Sequence, residues 1–136
     1  MVDTLVAGYG KGSSATLHMG TIKAPVWAVQ NVAFSTPGGV SYFALFMVDA
    51  PAAGTGYALM ESIVACKNTG RVICAGSNAS GSSLSASQAY TTGTPSVAHY
   101  PGISFDSDKV FLLAPSSPSV NSRWLQVNKQ YVWIGW

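Results

Sequence analysis

The stretch Thr55-Gly56-Tyr57-Ala58-Leu59-Met60-Glu61-Ser62-Ile63-Val64-Ala65-Cys66-Lys67-Asn68-Thr69-Gly70-Arg71-Val72-Ile73-Cys74-Ala75 decides whether this chain is wholly β or carries a helix. Tyr57, Met60, Ile63, Val64 and Lys67 follow helical spacing, with Thr55 placed to cap the start and Gly70 just past the end. The competing reading is a hairpin in which residues 63–67 pair with residues 71–75. It turns through Asn68-Thr69-Gly70, with Gly70 in the left-handed position of a three-residue loop. Both flanks are rich in Val, Ile and Ala, which favours the hairpin. A short helix near 56–67 stays open beside it.

Outward from this stretch, turn signals recur at short intervals: Gly8-Tyr9-Gly10-Lys11-Gly12, Thr36-Pro37-Gly38-Gly39, Ala53-Gly54-Thr55-Gly56, Gly93-Thr94-Pro95 and Pro115-Ser116-Ser117-Pro118. Between them lie runs of β-branched and aromatic residues, the pattern of an all-β sandwich or barrel. Strands are expected near 2–7, 15–23, 26–34, 40–48, 71–76, 97–99, 109–113, 123–127 and 130–135. The Ser/Gly/Ala-rich residues 77–87 read as a long exposed loop, or as a segment ordered by contact with a neighbour. No fixed-period repeat occurs, so a propeller or solenoid is not indicated. At 136 residues, the chain is read as one antiparallel β-sandwich domain over 1–136.

Charge is the unusual quantity. Asp, Glu, Lys and Arg make up 9% of the chain, against about 25% in an average soluble domain. The polar surface then falls to Ser, Thr, Asn, Gln and Gly-rich segments, which offer little electrostatic resistance to association. Lys11, Lys23, Lys67, Arg71, Lys109, Arg123 and Lys129 are scattered without a stripe, and the net charge is +2. That footprint argues against nucleic acid, where clustered cations must displace counterions. The longest apolar run, residues 42–48, is far short of the roughly 20 residues of a spanning helix, so no membrane role is expected. The amino end has Asp3 where a signal peptide has basic residues, so synthesis in a cytoplasm is expected.

The residues that could carry chemistry are few. His18 and His99 each sit in a strand-like run with no surrounding signature, and no Gly-x-Ser-x-Gly elbow occurs. Gly10-Lys11-Gly12-Ser13 lacks the spacing that wraps backbone amides around phosphate. Asp106-Ser107-Asp108 brings two acids together, but calcium takes six to eight oxygen ligands, so a solvated turn is the plainer reading. Cys66 and Cys74 are expected to be free buried thiols. In the hairpin register with Lys67 opposite Arg71 they share a face as diagonal neighbours, about 7–8 Å apart. No enzyme activity, metal or cofactor is expected.

The carboxyl-terminal stretch Trp124-Leu125-Gln126-Val127-Asn128-Lys129-Gln130-Tyr131-Val132-Trp133-Ile134-Gly135-Trp136 reads as a hairpin turning at Asn128-Lys129. Pairing Val127 with Gln130 puts Leu125, Val127, Val132 and Ile134 on an aliphatic core face. Trp124, Gln126, Tyr131 and Trp133 then form an aromatic and polar face. Three readings of that second face compete: core covered by another sheet, a subunit or partner interface, and a platform for sugars. Trp136 is expected to dock on this chain or a neighbour. The candidate partner or ligand residues are Trp124, Gln126, Tyr131, Trp133 and Trp136.

In length, low charge, Ser/Gly/Thr loops, apolar strands such as Val40-Ser41-Tyr42-Phe43-Ala44-Leu45-Phe46-Met47-Val48 and an aromatic last strand, the chain resembles virion structural proteins of tailed bacteriophages. It resembles especially the small capsid decoration, or cement, proteins. The resemblance implies a jelly-roll-like sandwich, often a homotrimer, clamped over junctions of the major capsid protein and located in the virion. The alternative is a lectin-like carbohydrate-binding module, as on a phage tail or fibre.

Overall fold

A computed structural model describes residues 16–23, 30–49, 60–77, 84–91, 101–115, 124–126 and 128–136. Among these residues there is no helix and there are nine strands: β1 (His18–Lys23), β2 (Val32–Ser35), β3 (Tyr42–Met47), β4 (Ser62–Cys66), β5 (Arg71–Ser77), β6 (Leu84–Thr91), β7 (Gly102–Phe105), β8 (Lys109–Leu113) and β9 (Gln130–Gly135). They form a six-stranded sheet in the order β1-β9-β3-β4-β5-β6 and a three-stranded sheet in the order β2-β8-β7. Every pairing is antiparallel. The architecture is a β-sandwich.

The alternation of each strand explains how the two sheets close on one another. Phe43 and Leu45 of β3, Ile63 and Ala65 of β4, Val72 and Cys74 of β5 and Tyr131 of β9 are buried on the inner face of the large sheet. Phe34 of β2, Ile103 of β7 and Val110 and Leu112 of β8 meet them from the small sheet in one cluster. The Phe34 ring spans the gap, with centroids 4.9 Å from Phe43 and 5.5 Å from Trp133. Such tilted aromatic contacts are favoured over flat sandwiches.

The deciding stretch resolves as the hairpin. Residues 62–66 are strand; residues 56–59 of the competing helix lie outside the described residues. Ile63 and Ala65 are buried and Val64 between them is exposed, which is period two and not the helical period. Gly70 adopts φ 65°, the left-handed conformation its place in the turn requires. The register differs by one residue from expectation, because Cys66 opposes Arg71 and the loop holds four residues, 67–70. Lys67 is withheld from pairing with Arg71 since its N–H donates to Ser41 C=O, 2.8 Å, extending the ladder to β3. A one-residue slip moves a side chain to the other face. Cys74 therefore lies inside with Ile63, while Cys66 lies on the outer face, and both are free thiols.

Three further expectations are corrected. Residues 77–87 are not one long loop: β5 runs to Ser77, β6 begins at Leu84, and the two pair antiparallel across a register shift between Cys74 and Gly76. The backbone ladder orders this segment without the Val/Ile signature of its neighbours. The strand β7 was unforeseen; it pairs with β8 around Asp106-Ser107-Asp108, which is the solvated turn expected there. Finally, residues 124–126 do not form a strand beside β9. Both edges of β9 are occupied, by β1 and β3, so no hairpin partner has room. Asn128 does take the left-handed turn conformation, φ 61°, but the preceding residues run into the core. The expected strands at 2–7 and 97–99 lie outside the described residues, as does the first part of 26–34.

Neighbours on β4 and β5 separate the two faces energetically. Ile63→Ala, which empties a fully buried site, is expected to cost about 2–5 kcal/mol. Ile73→Ala, on the opposite face, is expected to cost less than about 1 kcal/mol. Urea unfolding of the two variants against the parent chain measures both.

Candidate interaction face

The register fixes which side chains stand together on the outer face of the six-stranded sheet. One row across the strands is Met19, Ile134, Ala44, Val64 and Ile73. The next is Thr21, Val132, Phe46, Ser62 and Ala75. Beyond the first row lie Tyr42, Cys66 and Arg71, with Trp136 exchanging both backbone hydrogen bonds with Tyr42. An exchanged pair of this kind puts two side chains on one face. Their rings stack at 5.4 Å and 17°.

All eight of the exposed large hydrophobic residues among those described belong to this face or continue it. Met19, Tyr42, Phe46, Val64, Ile73 and Trp136 stand on it, Leu17 directly precedes β1 and Val48 directly follows β3. They are 40–60% exposed. Among the described strand residues of the face only Lys23 and Arg71 carry charge, and they stand far apart, at the end of the edge strand β1 and at the start of β5, one strand in from the other edge. A half-covered antiparallel sheet ordinarily alternates apolar inside and polar outside. Here the outside is apolar as well. An apolar surface of this extent is a candidate interaction face.

The candidates named from sequence fall elsewhere. Trp124, Gln126 and Tyr131 are buried, and Trp133 is half-buried against the core cluster. Of the three readings of the aromatic face, the covered core of a sandwich is the one this geometry matches. The two faces of β9 are exchanged relative to expectation: Tyr131 and Trp133 point inward, and Val132 and Ile134 stand on the outer face. Trp136 alone of the five is exposed. It borders a cleft of about 500 Å³ at one end of the sandwich, lined also by Gly38, Gly39, Ser41, Lys67 and Ser107.

Tyr131 shows what holds the buried aromatic residue. Its hydroxyl accepts from Gln126 N–H at 3.0 Å and donates to Met60 C=O at 2.9 Å. It thereby ties the segment before β9 to the segment before β4. Burial pushes its ionisation well above the ordinary value of 10.0, since the phenolate would lose both water and its donor role. Outside the core, the hydroxyl and backbone of Thr69 hold the Cys66 thiol below its ordinary range. Asp106 accepts from Ser107 N–H, and Asp108 pairs with Lys109 at 2.9 Å on the surface. No group of three or more His, Cys, Asp or Glu side chains is placed to hold a metal among the described residues. No helix among them is long and apolar enough to cross a membrane.

Comparison with family models, with curated proteins and with solved structures gives no match for this chain. Its functional reading therefore rests on its own surface.

Replacing Tyr131 by Phe strands the buried Met60 carbonyl and Gln126 amide, a loss expected at about 1–3 kcal/mol. In the parent chain the unfolded state ionises near 10.0 while the folded state keeps the proton. The unfolded state thus binds fewer protons, and stability declines as pH rises past that value. Unfolding free energies measured across alkaline pH should show a shallower decline for Tyr131→Phe than for the parent.

Proposed function

We propose that this chain is a non-enzymatic structural protein that works by packing against other protein subunits, and that it acts as a decoration protein on a bacteriophage shell. The apolar outer face of the six-stranded sheet carries this reading. Side chains such as Met19, Ile73 and Trp136 gain little by standing in water, and each is favoured by transfer into a contact. The sparse charge acts in the same direction, since among the described strand residues of that face only Lys23 and Arg71 carry a charge to be desolvated. A protein bound only to the assembled shell stabilises it by mass action, with no reaction involved.

A second reading, a carbohydrate-binding module, draws on one observation. Trp136, stacked on Tyr42, borders the cleft that Ser41, Lys67 and Ser107 line with polar groups. An aromatic ring beside hydroxyl and ammonium groups is chemistry that a sugar can use.

Two measurements separate these readings. Under the first, the chain bands with phage shells in a density gradient and raises their melting temperature when added back to stripped shells. A chain that stays in the soluble pool and leaves shell melting unchanged sinks it. Under the second, glycans change the tryptophan fluorescence of the parent chain, and Trp136→Ala abolishes the response. A flat titration of the parent over a glycan panel sinks that one.

A further inference from the structure

We infer that the outer face of the six-stranded sheet is covered by the same face of a second copy of this chain, related by a twofold axis running along the strands between β3 and β4. The inference rests on the packing role proposed above and names the partner that fills the face. Three observations carry it.

The first is area. Eight side chains at 40–60% exposure present several hundred Å² of apolar surface. That is the order of the roughly 800 Å² that each partner contributes to a standard stable interface. The second is shape. Ala44 lies directly opposite Val64, and Phe46 opposite Ser62, across the β3–β4 ladder. A twofold between these strands lays β3 of one copy over β4 of the other. Each Phe46 then meets the other copy's Ser62, large over small, the arrangement that lets facing layers interdigitate; each Val64 lies over the row of Ala44, which its own neighbours already cover. The sheets would pack at about 10 Å, as sandwich layers do.

The third is charge. The same axis lays β9 of one copy over β5 of the other, because these strands flank β3 and β4 in the sheet order. Trp136 and Arg71 stand in the same row. Each Arg71 therefore comes over the indole of the other copy's Trp136, an attractive cation–π contact. The axis carries β1 onto β6 and β5 onto β9, so neither Lys23 nor Arg71 of one copy faces a cation of the other. The contact is isologous and closed, so it ends at two copies.

Sedimentation equilibrium of the full chain over a range of concentrations tests the inference. A reversible dimer is expected. Val64→Glu, at a partly exposed position, should weaken it at least about tenfold, with circular dichroism unchanged and melting lowered only as far as loss of the dimer accounts for; Ile73→Lys is the second variant at this face. The decisive measurement is a double-mutant cycle with Arg71→Ala and Trp136→Ala. Within one chain these residues are three strand spacings, roughly 14 Å, apart, so they should not couple there. Each substitution should weaken dimerisation, and the pair should weaken it by less than the product of the two. A monomer at every concentration, a trimer, or a dimer indifferent to Val64→Glu overturns the inference. So does a dimer in which Arg71 and Trp136 act independently. A chain that bands with shells yet stays monomeric in solution would overturn the twofold alone and leave the decoration role standing.

Discussion

The two occupied edges of β9 constrain more of this molecule than any other feature. With β1 on one side and β3 on the other, the last strand becomes interior to the large sheet, and its alternation is locked to both neighbours. Trp133 then falls over Gly20 of β1. A Cβ at Gly20 would lie 2.8 Å from the indole Nε1, so the absence of a side chain there is what lets the ring lie flat. The inward indole in turn meets Phe34 from the small sheet and Phe43 from β3. The contact between the two sheets is thus built on the placement of one strand.

That placement also dictates the outer surface. Because Tyr131 and Trp133 go in, Val132 and Ile134 must go out, and they align with Phe46 and Ala44 of β3. Those residues in turn align with Ser62 and Val64 of β4. The apolar rows are therefore a collective property of five strands held in one register. No single strand is conspicuous. Met19, Val64 and Ile73 each look like an ordinary exposed hydrophobic residue, which needs no explanation alone; only the pairing puts them in one line.

Legibility followed how local each determinant is. The runs at 109–113 and 130–135 were readable with their boundaries, since β-branched and aromatic residues in alternation carry that information within a few positions. Gly70 and Asn128 were readable as left-handed turn residues for the same reason. The register after Cys66 was not, because a hydrogen bond to Ser41, distant in sequence, withholds Lys67 from pairing with Arg71 and leaves it in the turn. Strand β6 was not, because LSASQAYT is held by its ladder to β5 and not by a hydrophobic pattern. The inversion of β9 has a similar origin. Both of its faces are apolar, so periodicity announces a strand without saying which side is inside; β1 and β3 decide that. Tyr131 can go inside because its hydroxyl finds Met60 and Gln126, partners that composition cannot reveal.

The candidate face was legible only as a shortage. A chain with 9% charged residues has few means of making a sheet repel its neighbours, and an open apolar face is normally a hazard that proteins blunt with charge. Here the blunting is absent where it would matter most. Ala44 at the centre of the sheet and Val64 beside it bring no side-chain polar atom, and the two cations stand away from them, at the end of β1 and the start of β5. A charged residue at the centre would protect a solitary chain from aggregation, but it would have to be desolvated on docking, at a cost that one pairing at the rim does not recover. The distribution of charge, absent from the middle of the described face and present towards its two ends, is the one that interfaces in general show, whose cores lose charge while their rims keep it.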